Sequence, residues 1–150
     1  MLDLTGHREL QCVIHPFGTL TPLRFVVVCS FYRRRILLSY HSRHGSWETQ
    51  GGRIEINESP EEAARRELYE ESGATDAALI PVCDYCACDS EGSSNGRVYA
   101  AVIRKLGQLP NNEMSRVGAF DDLPDNLTYP HVTPALFGEA KRKLAEISER

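Results

Sequence analysis

Hydrophobic positions along the chain follow two rhythms, one of strands and one of helices. Residues 23–31, LRFVVVCSF, form a dense block of β-branched and aromatic side chains, the pattern of a mostly buried strand. The basic turn Tyr32–Arg35 interrupts it, and ILLSY (36–40) supplies a hairpin partner. HSRHGS (41–46) is polar and loop-like, and Trp47 begins a short approach to the paired glycines Gly51 and Gly52. The period then changes. Ser59-Pro60-Glu61-Glu62 sets a capping hydroxyl, a proline at the first helical position and a Glu three residues after the cap. Gly73 offers a left-handed stop, so the spacing predicts a helix over 60–72. Two strand segments follow, Ala77–Cys88 and Arg97–Lys105, joined by DSEGSSNG, in which Asn95-Gly96 is the reversal signal. LGQLPNNE reads as a loop, SRVGAF (115–120) as a short strand and DDLPDNLTYPHVT as turns. From about Pro134 a closing helix carries Leu136, Phe137, Ala140, Leu144 and Ile147 on one side. Strands around an internal helix, with a second helix at the end, predict a mixed α/β sandwich in one domain over 1–150.

Composition narrows the class without naming a function. Apolar residues make up 41% and charged residues 25%, ordinary values for a soluble globular chain. A net charge of −4 gives no electrostatic reason to bind nucleic acid or an anionic membrane, although a bound cation would reverse the sign locally. The start, MLDLTGHRELQC, has no apolar core of a signal peptide, and the longest apolar run, Phe25 to Cys29, is too short to span a bilayer. The expectation is a cytoplasmic protein with reduced thiols. Cys83, Cys86 and Cys88 admit two readings. They form a metal knuckle if folding brings His15, His41 or His44 near, or they are small apolar side chains of a strand, which VCDYCAC favours.

The chemistry concentrates in residues 51–74, GGRIEINESPEEAARRELYEESGA. On a helix, Glu67, Glu70 and Glu71 share a sector of about 100°. Like charges so placed repel unless they are solvated or hold a divalent cation, and an all-oxygen set suits Mg²⁺ or Mn²⁺. From the glutamates alone, a solvated acidic helix face is the stronger reading.

The wider spacing changes that balance. Gly52, Glu58, Arg66-Glu67-Leu68, Glu70-Glu71 and Gly73-Ala74 fall on G-x5-E-x7-R-E-U-x-E-E-x-G-U, the Nudix box. The one soft position is Ala74, smaller than the usual aliphatic residue. The chain resembles a MutT-like Nudix hydrolase over about residues 20–149, with only the box specific. The resemblance implies an α/β/α sandwich with a mixed β-sheet, in which the box forms a loop–helix–loop catalytic motif. It implies hydrolysis of a nucleoside diphosphate linked to another moiety, with Mg²⁺ or Mn²⁺. Carried over by motif position, Glu70 and Glu71 are carboxylate ligands, and Glu67 is a ligand or the group that orients or deprotonates the water. A carbonyl of Gly51 or Gly52 completes the metal set. Arg66 fixes a box glutamate, while Glu58 and Gly73 support the loop–helix–loop. Glu113 is the candidate base outside the box, with Glu91 and Asp121 as competitors.

Substrate signals are thinner. The family often has Pro before the paired glycines, whereas this chain has Thr49-Gln50. Asn126 is a candidate purine reader or a turn residue, and Tyr40, like Phe31 and Trp47, is a stacking candidate or core. The favoured substrate is a small-molecule (d)NTP, including an oxidised one such as 8-oxo-dGTP. The alternatives are a triphosphorylated RNA 5′ end, ADP-ribose or a nucleotide sugar, and a non-catalytic nucleotide-sensing module.

Overall fold

The computed structural model describes residues 11–110 and 113–148. The amino-terminal segment behind the signal-peptide reading, and the end of the predicted resemblance at residue 149, lie largely outside these residues. In chain order the elements are β1 (Gln11–His15), β2 (Phe25–Tyr32), β3 (Arg35–His41), β4 (Ser46–Glu48), β5 (Gln50–Arg53), α1 (Pro60–Ser72), β6 (Ala74–Asp89), β7 (Gly92–Leu106), β8 (Met114–Phe120) and α2 (Thr133–Ser148). The sheet runs β1-β6-β7-β2-β3-β4, with β5 on β2 and β8 on β3. Among the named strands of the described residues β2 and β7 pair in parallel and the other pairs are antiparallel, so the sheet is mixed.

The period-two alternation of the strands divides the core between the two faces. Val26 and Val28 of β2 and Tyr99, Ala101 and Ile103 of β7 meet Ala63, Ala64 and Leu68 of α1. The intervening Cys29, Val98 and Ala100 meet Leu136, Phe137 and Ala140 of α2. The result is the expected α/β/α sandwich. Ile147, assigned to the buried side of α2, is instead 40% exposed, because the last turns of α2 run past the packed cluster. Among the described residues no helix is long and apolar enough to cross a membrane.

Three local expectations change. A strand, β1, forms at Gln11–His15 against Asp84–Cys88 of β6 where none was predicted, and the glycine approach itself is a strand, β5 on β2. The β6–β7 reversal is not at Asn95-Gly96. Asp89 pairs with Gly92, and its Oδ1 accepts from the backbone N–H groups of Glu91 (2.8 Å) and Gly92 (3.1 Å), so the Asx turn closes the hairpin first. Asn95-Gly96 lies inside β7 opposite Cys86 and Tyr85, and a Cβ on Gly96 would come within 2.3 Å of the Tyr85 ring. Cys83, Cys86 and Cys88 are residues of β6 with free thiols, so the strand reading holds.

Candidate active site

The helix α1 is fixed at both ends by its own sequence. Ser59 Oγ accepts from Glu62 N–H (3.1 Å), and the Glu62 carboxylate accepts from Ser59 N–H (2.8 Å), a complete capping box. At the far end Gly73 adopts φ 80°, its N–H donates to Tyr69 O (2.8 Å), and a Cβ there would meet two carbonyl oxygens of the 107–108 segment at 2.8 Å. These ends fix the bounds of the helix that carries Glu67, Glu70 and Glu71.

Arg66 is the hub of the acidic face. Its Nε and Nη2 hold Glu58 (2.7 and 3.0 Å), and its Nη1 reaches Glu67 (2.8 Å) and Glu70 (3.2 Å). A further bond from Nη2 to Arg53 O (3.1 Å) ties the helix to the end of β5. The hydrogen bonds from Arg66 first, then the N–H of Glu55, draw the Glu58 carboxyl down to about 2. Gly52 lies against the Glu67 carboxylate, where a Cβ would sit 2.6 Å from Oε1. Gly51 needs its bare Cα for a different reason, because a Cβ would stand 2.4 Å from Val26 O.

Glu71 is the electrostatic outlier. Burial pushes its carboxyl up to about 9; the Gly51 N–H (2.8 Å) pulls the other way, and Glu67, Glu48 and Glu70 add to the rise. Burial likewise raises Glu67, with Arg66 opposing. One guanidinium thus hydrogen-bonds three carboxylates, lies 3.7 Å from a fourth, Glu55, and leaves Glu71 to a backbone amide. A cluster of oxygen donors carrying more negative charge than its protein partners neutralise fits a hard divalent cation.

A cleft of about 220 Å³ opens beside the paired glycines. Glu48, Gly51, Gly52 and Arg53 form its polar side, and Tyr85, Tyr129, Val132 and Leu136 its apolar side. Tyr129 arrives because residues 126–128 lie along β4, with Trp47 N–H donating to Asn126 O (2.9 Å) and Thr128 N–H to Trp47 O (3.0 Å). Its hydroxyl is pushed up to about 12 by burial, with Glu48 and Glu71 adding to the rise.

Gln50, where the family often has Pro, is fully buried. Its Oε1 accepts from Ser30 Oγ (2.5 Å), and its Nε2 donates to Ser39 Oγ (2.9 Å), which itself donates to Glu71 O (2.7 Å). A side-chain relay from β2 to the end of α1 therefore fixes the glycine loop, a service that Thr49-Gln50 gave no sign of in the sequence.

Other predicted residues lie elsewhere. Tyr40 packs on Trp47 (ring centroids 5.1 Å) beneath the Arg116 guanidinium and does not line the cleft. Asn126 is also outside it, donating from its side chain to Gly45 O (2.9 Å) as a turn residue does. Glu113 faces Arg43 (3.3 Å) and His41 (3.8 Å). The competing Asp121 pairs with Arg35 (3.2 Å), and Glu91 lies in the β6–β7 turn. Sequence reasoning assigned neither Glu48 nor Tyr129 to the cleft wall, nor Gln50 to the buried relay behind the glycines. His41, His44 and Glu48 also cluster, but the two rings are stacked 3.7 Å apart at 10°. Imidazole lone pairs lie in the ring plane, and two nearly parallel planes share no point for one ion, so this cluster is not a metal centre as arranged.

A sequence profile of the NUDIX domain matches residues 21–130. The chain belongs to the Nudix family. It is 33% identical over 114 residues to YtkD of Bacillus subtilis (strain 168), assigned provisionally as an 8-oxo-dGTP diphosphatase; the match spans 75% of this chain and 70% of YtkD. The fold matches the crystal structure of the B. subtilis pyrophosphohydrolase BsRppH with a TM-score of 0.75 and 26% identity, over 89% of this chain and 90% of that one. It also matches the Nudix domain of Shewanella oneidensis NrtR bound to ADP ribose, with a TM-score of 0.66 and 23% identity over 85% and 91% of the two chains. This Nudix protein is a pyrophosphohydrolase acting on phosphoric anhydride bonds.

Proposed function

We propose that this Nudix hydrolase cleaves a nucleoside triphosphate, the (d)NTP class that includes 8-oxo-dGTP, and releases pyrophosphate. The observation that carries the substrate reading is the cleft. Its apolar side, with Tyr85 and Tyr129, has the character of a nucleobase site, and its polar side includes Gly51 and Gly52, which lie against Glu71 and Glu67 of the box. Similarity to YtkD supports the same class.

Nudix hydrolases generally use a divalent metal. Glu67, Glu70 and Glu71, with a carbonyl of Gly51 or Gly52, would hold Mg²⁺ or Mn²⁺ here. When bound, such an ion neutralises phosphate oxygens and lowers the pKa of water. Around it, Arg66 aims Glu67 and Glu70, Gly52 gives Glu67 room, and the Gly51 N–H holds Glu71. The aromatic side of the cleft holds the base, leaving the phosphates at the acidic end.

The test is a product-release screen with Mg²⁺ or Mn²⁺ over dGTP, 8-oxo-dGTP, 5′-triphosphorylated RNA, ADP-ribose and a nucleotide sugar. Pyrophosphate and a nucleoside monophosphate from the free triphosphates are the expected products. Preference for RNA ends or ADP-ribose would reassign the substrate, and tight binding without hydrolysis of any of them would make this a sensing module.

A further inference from the structure

One charged group of the cleft has no part in the box, and it is held by a histidine. Glu48 is 9% exposed at the end of β4 and lines the cleft with Gly51 and Tyr129. It is near enough to Glu71 and Tyr129 to raise the pKa of both. Its Oε2 lies 2.6 Å from His44 Nδ1.

The His44 ring is itself fixed on several sides. It stacks on His41, and its backbone N–H donates to His41 Nδ1 (3.1 Å). That bond sets the neutral His41 tautomer, because Nδ1 accepts and the proton must sit on Nε2, the atom 3.8 Å from Glu113. The 42–45 loop is pinned by Ser42 N–H and Oγ to Glu113 O (3.0 and 2.8 Å), by Gly45 N–H to His41 O (2.8 Å) and by Asn126 Nδ2 to Gly45 O. Glu113, expected from the sequence to act at the site itself, stands at the outer end of this chain of contacts, and Glu48 stands at the inner end. A ring so constrained presents its Nδ1 in one direction, and a carboxylate with one oxygen tied keeps the other for the cleft.

We propose that Glu48 orients the attacking water from outside the box and that His44 is the positioning residue that clamps Glu48 in place. The inference rests on the pyrophosphohydrolase reading and assigns that site a further pair of residues. It also explains why a polar histidine pair is built into the wall of the sheet next to the catalytic end.

The experiment compares wild type, His44→Leu, His44→Asn, Glu48→Gln and the His44→Leu/Glu48→Gln double variant. Each is assayed with Mg²⁺ on whichever of dGTP, 8-oxo-dGTP, triphosphorylated RNA and ADP-ribose wild type cleaves fastest, and thermal unfolding is recorded alongside. His44→Leu should lower kcat about 10- to 100-fold with KM nearly unchanged, the range typical of outer-shell positioning groups. Asn, which keeps an N–H donor near the Nδ1 position, should restore most of that loss. Glu48→Gln should lower kcat at least as much, and adding His44→Leu to it should cost nothing more, because the two act as one unit. A His44→Leu protein with lower Tm but normal kcat, independent losses in the double variant, or no rescue by Asn would each overturn the proposal. If wild type cleaved none of the substrates, the pyrophosphohydrolase reading would fall with it; cleavage by wild type with an unaffected His44→Leu would remove only the positioning role.

Discussion

Two carboxylates of this protein leave solvent in opposite ways. Asp84 in β6 is fully buried, and the Arg97 guanidinium meets it with two hydrogen bonds (2.8 and 3.1 Å) while Leu20 N–H adds a third (3.0 Å). Burial pushes the Asp84 carboxyl up, yet Arg97 and the N–H groups of Leu20 and Gly18 outweigh it, so the group sits below its ordinary range. Glu71 has a single amide against burial and three neighbouring acids, and it rises to about 9. A compensated charge is a tie between strands. An uncompensated one keeps electrostatic demand in reserve for a ligand.

The difference is sharpest when each acid is neutralised. Glu71→Gln should reduce kcat about 10³-fold, some 4 kcal/mol of barrier, if Glu71 holds the metal as proposed. The same change should not lower the Tm of the metal-free protein. A raised folded pKa means that Glu71's contribution to stability is full below the ordinary carboxylate range and is lost as pH rises towards 9, so the variant should also lose that alkaline decline. Kinetics with Mg²⁺ and thermal melts in chelator test both halves. Retention of activity within tenfold would end the contrast.

Asp84→Ala should do the reverse. Stranding Arg97 costs about 3 kcal/mol, at the lower end for a broken buried pair because Arg97 keeps some access to water. The folded fraction should keep its kcat within about threefold, since Asp84 touches none of the box. With a depressed folded pKa, Asp84 stabilises above the ordinary carboxylate range, and that contribution disappears as pH falls through the folded value. Urea unfolding at neutral and acid pH should show the variant closing on wild type only at the acid end.

The two regions were not equally legible in the sequence. The ends of α1 are local chemistry, so Ser59, Pro60, Glu62 and Gly73 announced them. The box spacing announced the acidic face for the same reason, because i, i+3 and i+4 place side chains without help from the rest of the fold. Asp84–Arg97 and the strand β1 depend on register across distant strands, which no local pattern encodes. The Asn95-Gly96 signal was genuine as chemistry but lost to Asp89, which closes the turn sooner and lets Gly96 pass under Tyr85. Glu48, His44 and Tyr129 are ordinary residues until tertiary structure brings segments 41–48 and 126–133 to the glycines. Gln50 was visible as a departure from the family, but its meaning lay in Ser30 and Ser39.

The smallest predicted effect separates position in the box from membership of the site. Ser59 lies inside the box sequence, yet its hydroxyl is satisfied by one backbone N–H of the first helical turn, as Asp84 is satisfied by Arg97. Ser59→Ala should therefore behave as a structural change and cost about 1 kcal/mol, the usual loss for an N-cap. The Glu62 carboxylate would still accept from the backbone N–H of residue 59, so part of the cap survives and the helix keeps its start. Because the Arg66 contacts and Gly73 fix the rest of α1, the carboxylates should keep their aim, with kcat and metal dependence unchanged while the urea midpoint falls. A loss of kcat beyond about threefold at full folding would mean that the cap sets the position of Glu67 and Glu71, and that stability and charge reserve are coupled along the helix.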